Sequence, residues 1–526
     1  MNWLIVDDAL RDRKGHWLEY VSTFVRELRV LGDYVVVLCD RKAQGFVMEQ
    51  TGARPVLPES IWHRMGDRAG ALQRYLRVPW HAIATFFAMR KVFRGFNHGG
   101  HREHRGESAK KQEINHENHE KARIDKAGQR LDKPSCAAYS SPSTSELARD
   151  SENTSLTRSA SGPASSLEAG RSTLDSGEAP DWIFVPTVLV HHLLGWWLLL
   201  KTGSVPRESR VLLFFPNLPI RLDESGKAHW TSGPTTRLMA WLFENLRGEV
   251  EFGKVVLGVE THAMRRALEG LIRMSVVYLP HPVEAQGETR VERRESRASS
   301  PATSYSPPGT SAKPIIFGCY GAARWEKGSD IFHEAIKLIL KNEVASKKCR
   351  VASVEDKSNP VTHYSLPATT VGRPLRFAIQ WVEDFQDDSG NLVSIDPWLR
   401  KQPQVEVIER YFEGDEYEQR LAQTDVMVLP YRSPYQLRVS RVVIEAMLNG
   451  MPVIATRGTT LFEQAEEYGV VIGCEEGDAE SLAEAMLEMA ERFGVLRASA
   501  EEKVDGAAQG FSVVFFRKLI SKQNDS

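Results

Sequence analysis

The sequence predicts an α/β protein of two domains, each built on a parallel sheet covered by helices, with the sheets facing each other across a cleft. Apolar runs of strand length alternate with amphipathic helical segments in both halves of the chain. A polar segment without apolar periodicity separates the halves. A length of 526 residues also favours two cores over one.

The composition is that of an ordinary globular protein. A net charge of -2 gives no global electrostatic reason to bind nucleic acid, and no nucleic-acid partner is expected. The five cysteines are scattered and form no CxxC pair, which favours a reducing compartment. The start, MNWLIVDDAL, lacks the basic region of a signal peptide and predicts a first strand, so we expect a cytoplasmic protein.

The first domain is predicted over residues 1–283. It begins with a βαβ unit: the strand WLIVDD, a helix whose apolar residues recur every three or four positions, and the strand YVVVLCD. The runs DWIFVPT and RVLLFFPN predict further strands of the same sheet, and MSVVYLPHPV leads the chain out of it at about Pro282.

Residues 182–200, WIFVPTVLVHHLLGWWLLL, carry no formally charged side chain and are just long enough to cross a bilayer. Pro186 and Thr187 interrupt the run early, and His191 and His192 would lie near the middle of a span, where polar groups are costly. We therefore predict a buried strand, a turn and an apolar helix, with a transmembrane helix as the minor alternative.

Two polar segments interrupt the pattern. Residues 97–179 cannot bury enough apolar surface to offset chain entropy, which predicts a disordered insertion in the first domain. Residues 284–313 predict the linker between the domains. The insertion contains five histidines that could chelate a metal, but such clusters are usually incidental and no metal site is expected; they are His98, His101, His104, His116 and His119.

The second domain is predicted over residues 314–526, with a terminal helix that could pack back on the first domain. Its predicted strands are PIIFGCY, LRFAIQ, VEVIER, DVMVLPY, MPVIAT and VVIG, and helical segments alternate with them. Because ligands of such sheets bind beyond the carboxyl ends of the strands, the cleft is the expected location of the site.

The window YGAARWEKGSD follows the first of these strands. Gly321 lets the backbone approach a ligand closely, the next helix offers its N-terminus, and Arg324 and Lys327 add positive charge. These features suit a diphosphate. A plain βα turn with two solvated cations is an equally good interpretation of this window alone, and neither a Walker loop nor a GxGxxG fingerprint is present.

A second window, DVMVLPYRSPYQLRVSRVVIEAMLNGMPVIAT, changes that balance. Glu445 lies in the first turns of a helix whose flanking residues are apolar, so the helix is expected to be largely buried. A carboxylate aimed from it into the cleft would suit a ribose diol. The alternative, an exposed helix residue, is weakened by those flanks.

Together the two windows resemble the retaining GT-B glycosyltransferases, in particular glycosyltransferase family 4. The matching text is GAARWEKGSDIFHEA, DVMVLPY, VIEAMLNGMPVIAT and GDAESLAEAM, with weaker likeness in VVYLPHPVE and KGHWLEYVSTFVRELRVLGDYVVVL. The resemblance implies two Rossmann-like domains, a nucleotide-sugar donor held mainly by the second domain, and an acceptor bound by the first.

The resemblance also implies roles for single residues. Lys327, with help from Arg324, would hold the diphosphate, Glu445 would bind the ribose, and Gly15 and His16 would face the donor from the first domain.

Two departures from the family pattern stand out. Leu437 occupies the position of a second glutamate and leaves Arg438 and Ser440 as the nearest polar groups. Ala322 replaces the arginine that usually follows the glycine.

The predicted function is transfer of a sugar from a nucleoside-diphosphate donor to an acceptor hydroxyl, with retention, in glycan or polysaccharide biosynthesis. No carboxylate pair is placed at a strand end, so no cofactor or metal is expected. Two alternatives stay open: a catalytically silent sugar-nucleotide-binding protein, motivated by Leu437, and a sugar-nucleotide epimerase of the same fold.

The acceptor is expected to be a glycan or a lipid-linked glycan. Residues 64–94 are basic and amphipathic and include Trp80, Phe86 and Phe87. They could lie on the anionic inner face of a membrane, or they could form a helix pair that covers the sheet with a solvated basic face.

Overall fold

The fold was analysed in a computed structural model of the chain. The structure describes residues 1–12, 17–61, 71–99, 178–283, 313–321, 323–341, 373–382, 385–413 and 415–523. The chain divides into two compact units, one formed by Met1–Arg90 with Pro180–Ser526 and the other by Lys91–Ala179. Both parallel sheets belong to the first unit. Most of the predicted insertion and nearly all of the predicted linker lie outside the described residues.

The strands of the first half form a doubly wound sheet. They are β1 (Asn2–Asp7), β2 (Tyr34–Asp40), β3 (Arg54–Leu57), β4 (Trp182–Val185), β5 (Arg210–Phe215), β6 (Ile220–Leu222), β7 (Ala228–Trp230), β8 (Val255–Val259) and β9 (Val277–Tyr278). Seven of them pair in parallel in the order β3-β2-β1-β4-β5-β8-β9, while β6 and β7 form a separate antiparallel pair.

The helices of the first half are α1 (Trp17–Val30), α2 (Gly45–Thr51), α3 (Ala71–Gly99), α4 (Val190–Lys201), α5 (Pro234–Glu251) and α6 (His262–Ile272). Helix α1 buries its apolar face against the sheet, because Leu18, Val21, Val25 and Leu28 lie on one side of it. The run 182–200 forms β4, a turn and α4, as predicted. No helix among the described residues is both long and apolar enough to span a membrane.

Helix α3 differs from the expectation in two ways. It is one continuous helix with Pro79 inside, where a helix pair was the alternative to membrane contact. It also extends to Gly99, three residues into the predicted insertion.

The second half repeats the same order of strands. They are β10 (Ile315–Cys319), β11 (Leu375–Gln380), β12 (Val405–Ile408), β13 (Val426–Leu429), β14 (Val453–Thr456) and β15 (Val471–Cys474). They pair in parallel in the order β12-β11-β10-β13-β14-β15. The helices that follow are α7 (Ser329–Leu340), α8 (Glu416–Gln423), α9 (Arg441–Leu448), α10 (Thr460–Tyr468), α11 (Ala479–Glu491), α12 (Phe493–Glu502), α13 (Val504–Gly510) and α14 (Val513–Lys522). The predicted fold class is confirmed.

The last helix, α14, packs against the first sheet. Val513, Phe516 and Ile520 are buried in the core that contains the α1 stripe, and the ring of Phe516 meets that of Phe24 edge-on at 4.7 Å. The end of the chain therefore contributes apolar surface to the core formed by its beginning.

A buried carboxylate fixes α14 in this position. Asp33 accepts hydrogen bonds from Arg517 Nε at 2.6 Å, from Trp3 Nε1 at 3.0 Å and from the Met1 amino group at 3.0 Å. Its side chain is 1% exposed. Burial alone would raise the pKa of Asp33, but hydrogen bonds from Arg517, the N-terminus and Trp3 outweigh it and hold the pKa below its ordinary value.

We expect Asp33→Ala to destabilise the protein by about 3 kcal/mol, the lower end for a broken buried ion pair, because Arg517 is partly exposed. Since the folded pKa of Asp33 is lowered, its contribution is present above the ordinary pKa and is lost as pH falls through the lowered one. Chemical denaturation at neutral and acidic pH measures both effects. Asp223→Ala, at an exposed pair with His229, is the control, and equal losses for the two variants would contradict the prediction.

Candidate active site

The centre of the candidate site lies where β10 and β13 run side by side. These strands are neighbours in the sheet although β11 and β12 lie between them in the chain, so the sheet has its topological switch point here. Connections leave the two strands toward opposite faces and open a crevice beyond their carboxyl ends. Gly321 follows β10, and Tyr431 follows β13.

Gly321 adopts a φ of 103°, which disfavours other residues. Its N–H donates to Gln380 Oε1 at 2.7 Å, so the end of β11 holds the loop in place. A Cβ at this position would lie 2.6 Å from Lys327 Nζ. The glycine therefore makes room for the lysine ammonium group above its backbone.

Lys327 ends a single turn of 3₁₀-helix, Trp325–Lys327, that precedes α7. Gly328 then turns the chain with a φ of 65°, and a Cβ there would lie 2.0 Å from the Pro430 carbonyl oxygen. This close approach packs the start of α7 onto the loop after β13. Burial, and then the nearby charge of Arg324, lower the pKa of Lys327 below its ordinary value.

Tyr431 connects the two sequence windows. It is fully buried, and Lys327 Nζ lies 5.8 Å from its ring centroid. Burial, followed by Tyr435, raises the pKa of its phenol well above the ordinary value, and Ser440 and Glu445 also act on it. Lys327 contacts the ring of Tyr431 and Glu445 acts on its phenol, so Tyr431 links the two windows, which the sequence analysis did not identify.

The two predicted arginines lie around the neighbouring ring of Tyr435. Burial and then Glu326 raise the pKa of Tyr435, while Arg324 and Arg438 lower it, so both guanidinium groups are close. The side chain of Arg324 is 61% exposed and lies 3.8 Å from Glu326. It also lines a pocket of about 340 Å³ with Ala323, Trp325, Glu326, Gln386, Asp387, Asp388 and Tyr411.

Glu445 lies on α9 and is already bonded within the chain. Its Oε1 accepts from Arg441 Nε at 2.7 Å, and its Oε2 accepts from the Tyr417 hydroxyl at 2.5 Å. Arg441 in turn makes a bidentate pair with Glu19 on α1. Burial raises the pKa of Glu445, although Arg441 and Tyr417 act against the rise. Each carboxylate oxygen keeps one lone pair that a ribose hydroxyl could use.

Of the remaining positions named in the sequence analysis, the structure describes Ser440 and Leu437 and does not describe Gly15, His16 or Ala322. Ser440 is the N-cap of α9, and its side chain makes no capping hydrogen bond. Leu437, in place of the family's glutamate, is buried, and its carbonyl oxygen accepts from Thr261 Oγ1 of the first half at 3.0 Å. Gly15 and His16 lie outside the described residues, as does Ala322.

The sequence analysis also missed a group of buried ligating side chains in the first half. Asp8, His81, His191 and His192 come together although they lie on three separate segments. The paired histidines and an aspartate at a strand end were visible in the sequence, but nothing there indicated that helix α3 would bring His81 to them.

Comparisons with known proteins give a family match for part of the chain and a shared fold. Residues 390–492 match the family model described as glycosyl transferases group 1. Among solved structures, HepE from Anabaena in complex with UDP is similar at 12% identity with a TM-score of 0.50, and each chain is covered to 100%. A glycosyltransferase from Rickettsia africae aligns at 11% identity with a TM-score of 0.48, over 100% of this chain and 98% of that one. No curated protein matches the sequence.

The likeness to HepE establishes the GT-B fold with two Rossmann-like sheets. The family match covers most of the second sheet, from the segment before β12 to the end of α11. Family match and fold together support the predicted enzyme class, a glycosyltransferase. Family 4 membership and retention at the anomeric carbon stay predictions.

Proposed function

We propose that the protein transfers a sugar from a nucleoside-diphosphate donor to an acceptor hydroxyl, with retention at the anomeric carbon, in glycan or polysaccharide biosynthesis. The observation that carries this proposal is the position of Lys327 Nζ, 5.8 Å from the centroid of the Tyr431 ring at the switch point of the second sheet, with Arg324 and Arg438 both acting on the pKa of the neighbouring Tyr435. A nucleoside diphosphate fits that charge, and the HepE structure, which has the same fold, holds UDP.

Lys327 is the best placed group for the diphosphate. It is half-buried, its pKa is lowered by burial, and it projects over a glycine that leaves the backbone accessible. Burial removes water from the ammonium group, and a bound anion would compensate for that lost hydration with its negative charge and hydrogen-bond acceptors. As the sugar leaves, charge builds up on the diphosphate, and a fixed cation stabilises that charge more strongly than it stabilises the bound donor.

The nucleotide sugar would extend from Lys327 toward Glu445. The ribose hydroxyls would donate to the lone pairs that Arg441 and Tyr417 leave unused on Glu445. Such an interaction changes little along the reaction, so it would contribute to donor binding and not to the chemical step.

The test is a set of matched kinetics on purified protein. Lys327→Ala should lower kcat and weaken donor binding. Glu445→Gln should chiefly weaken donor binding, by about 1.5–3 kcal/mol for a hydrogen bond to a charged group. Lys201→Ala and Glu488→Gln, at exposed positions, are the controls.

The outcomes of these kinetics separate the alternatives. A donor that binds without transfer or hydrolysis would indicate a silent binding protein. Interconversion of the free sugar nucleotide would indicate an epimerase. Unchanged donor affinity and turnover in both site variants, with the fold intact, would place the site elsewhere.

We also propose that transfer needs no divalent cation at the diphosphate, because the three cationic side chains can take that role. Adding Mg²⁺ or Mn²⁺ to the purified protein should therefore leave the rate of transfer unchanged. A rate that rises with either ion to saturation would show that a cation binds with the donor.

The acceptor proposal is a lipid-linked glycan at the inner face of a membrane. Helix α3 exposes four large apolar side chains at helical spacing, namely Leu76 (65% exposed), Trp80 (48%), Ile83 (48%) and Phe87 (61%). They form one stripe, which we call the α3 stripe. Arg77 and Arg90 lie in the same part of α3, so an anionic bilayer complements the surface in both charge and polarity.

We expect the protein to sediment with vesicles that contain anionic lipid and to remain in solution with purely zwitterionic ones. The double variant Leu76→Ser with Phe87→Ser should lose this binding, because the remaining arginines alone supply only salt-sensitive attraction. Val495→Ser, at a position 75% exposed elsewhere on the chain, is the control. Binding that the double variant retains in full would exclude the α3 stripe as the contact.

A further inference from the structure

Four buried side chains meet at the switch point of the first sheet. Asp8 follows β1, His191 and His192 lie in the first turn of α4 after β4, and His81 lies on the inner face of α3. β1 and β4 are neighbours in the sheet, so their carboxyl ends open into one crevice. The side chain of each of the four residues is at most 7% exposed, and that of His81 is 1% exposed.

One ligating atom from each residue lies within 4.8 Å of all the others. His192 Nε2 lies 3.0 Å from Asp8 Oδ1, and its Nδ1 accepts from the Leu189 N–H at 3.2 Å. With Nδ1 acting as acceptor, Nε2 carries the proton and donates it to Asp8. Both nitrogens of His192 are therefore in use, and the histidine orients the carboxylate.

The other three residues each leave one atom unsatisfied. Asp8 Oδ2, His81 Nε2 and His191 Nε2 are buried, and none of them has a hydrogen-bond partner. Asp8 Oδ2 and His81 Nε2 are 3.0 Å apart, but they are not aligned as a hydrogen bond. Buried polar atoms are almost always paired in folded proteins. His191 Nε2 has no partner, and it lies beside an Asp8–His81 ion pair that lacks the alignment of a hydrogen bond, so the cluster indicates a missing shared partner.

We propose that Asp8, His81 and His191 bind a divalent transition-metal ion, for which Zn²⁺ is the best match, with His192 as the positioning residue of Asp8. Two imidazole nitrogens and one carboxylate oxygen are ligands that Zn²⁺ accepts, whereas Mg²⁺ and Ca²⁺ prefer oxygen throughout. A ligating carboxylate that accepts a hydrogen bond on its second oxygen is the usual support around such sites. Three protein ligands leave a fourth position for water.

This inference does not depend on the proposed function, because the cluster belongs to the first sheet and the diphosphate site to the second. The ion would connect three segments that are distant in sequence: the end of β1, α3 and α4. The ion would hold the inner face of α3 in place, and the outer face of the same helix carries the α3 stripe.

The test is the metal content of the full-length protein, purified without an affinity tag. Elemental analysis should find about one zinc ion per chain. His81→Gln and His191→Gln should lose it, whereas His229→Gln, at an exposed histidine, should retain it. His192→Gln should retain a metal that binds about 10–100 times more weakly. To exclude the histidines of the polar insertion, the same comparison is made after His98, His101, His104, His116 and His119 are all changed to asparagine.

A second measurement uses only wild-type protein, so it still tests the proposal if the histidine variants fail to fold. Wild-type protein stripped of metal and loaded with Co²⁺ should show the visible absorption of a low-coordinate cobalt site and should melt higher than the metal-free form. Metal content equal in wild type and the His81 variant, or no cobalt spectrum on folded wild-type protein, would overturn the proposal. Complete loss of metal in His192→Gln would overturn the assignment of His192 as a positioning residue.

Discussion

The constraint on which this structure depends is the reversal of strand order in a doubly wound parallel sheet. β1 lies beside β4, and β10 lies beside β13, and at both places the following connections go to opposite faces. Parallel strands all end at the same edge, so polar residues that follow these four strands must meet in two crevices. Gly321 and Tyr431 meet in one, and Asp8 and His191 meet in the other.

Much of this arrangement could be predicted from local pattern, and the rest could not. Apolar periodicity located most strands and helices, and the glycine with its lysine marked the window that we propose for the diphosphate, because both signals lie within about a dozen residues. Strand β8 was missed inside the long first domain. The contact between Tyr431 and Lys327 was also missed, because the sequence around a tyrosine that follows a strand does not show which distant segment its ring will contact. The pairing of Glu445 with Arg441 and Glu19 depends on two segments that no local rule brings together.

The pairing changes how Glu445 should be understood. A carboxylate that already accepts from Arg441 and Tyr417 has only part of its accepting capacity left for a ligand, and burial raises its pKa against the effect of these two partners. Arg441 is shared with Glu19 on α1, so the carboxylate that would meet the ribose is connected through one guanidinium group to the first half of the chain. Loss of Glu19 or of Glu445 would leave Arg441 with one carboxylate partner in place of two. Glu445, the proposed ribose contact, and α1 are therefore linked through the hydrogen bonds of Arg441.

Helix α3 raises a related question of attachment. Its outer face exposes the α3 stripe, which gains nothing from burial unless a partner covers it, so the helix must be held by its inner face alone. The buried residues of α3 include Ala82, Phe86, Met89 and Phe93, together with His81. His81 Nε2 faces Asp8 Oδ2 at 3.0 Å without the alignment of a hydrogen bond, so this nitrogen recovers only part of the free energy that its burial costs. With an ion shared among His81, Asp8 and His191, the same nitrogen would stabilise the attachment of α3, because it would coordinate an ion that is also bound by residues following β1 and β4.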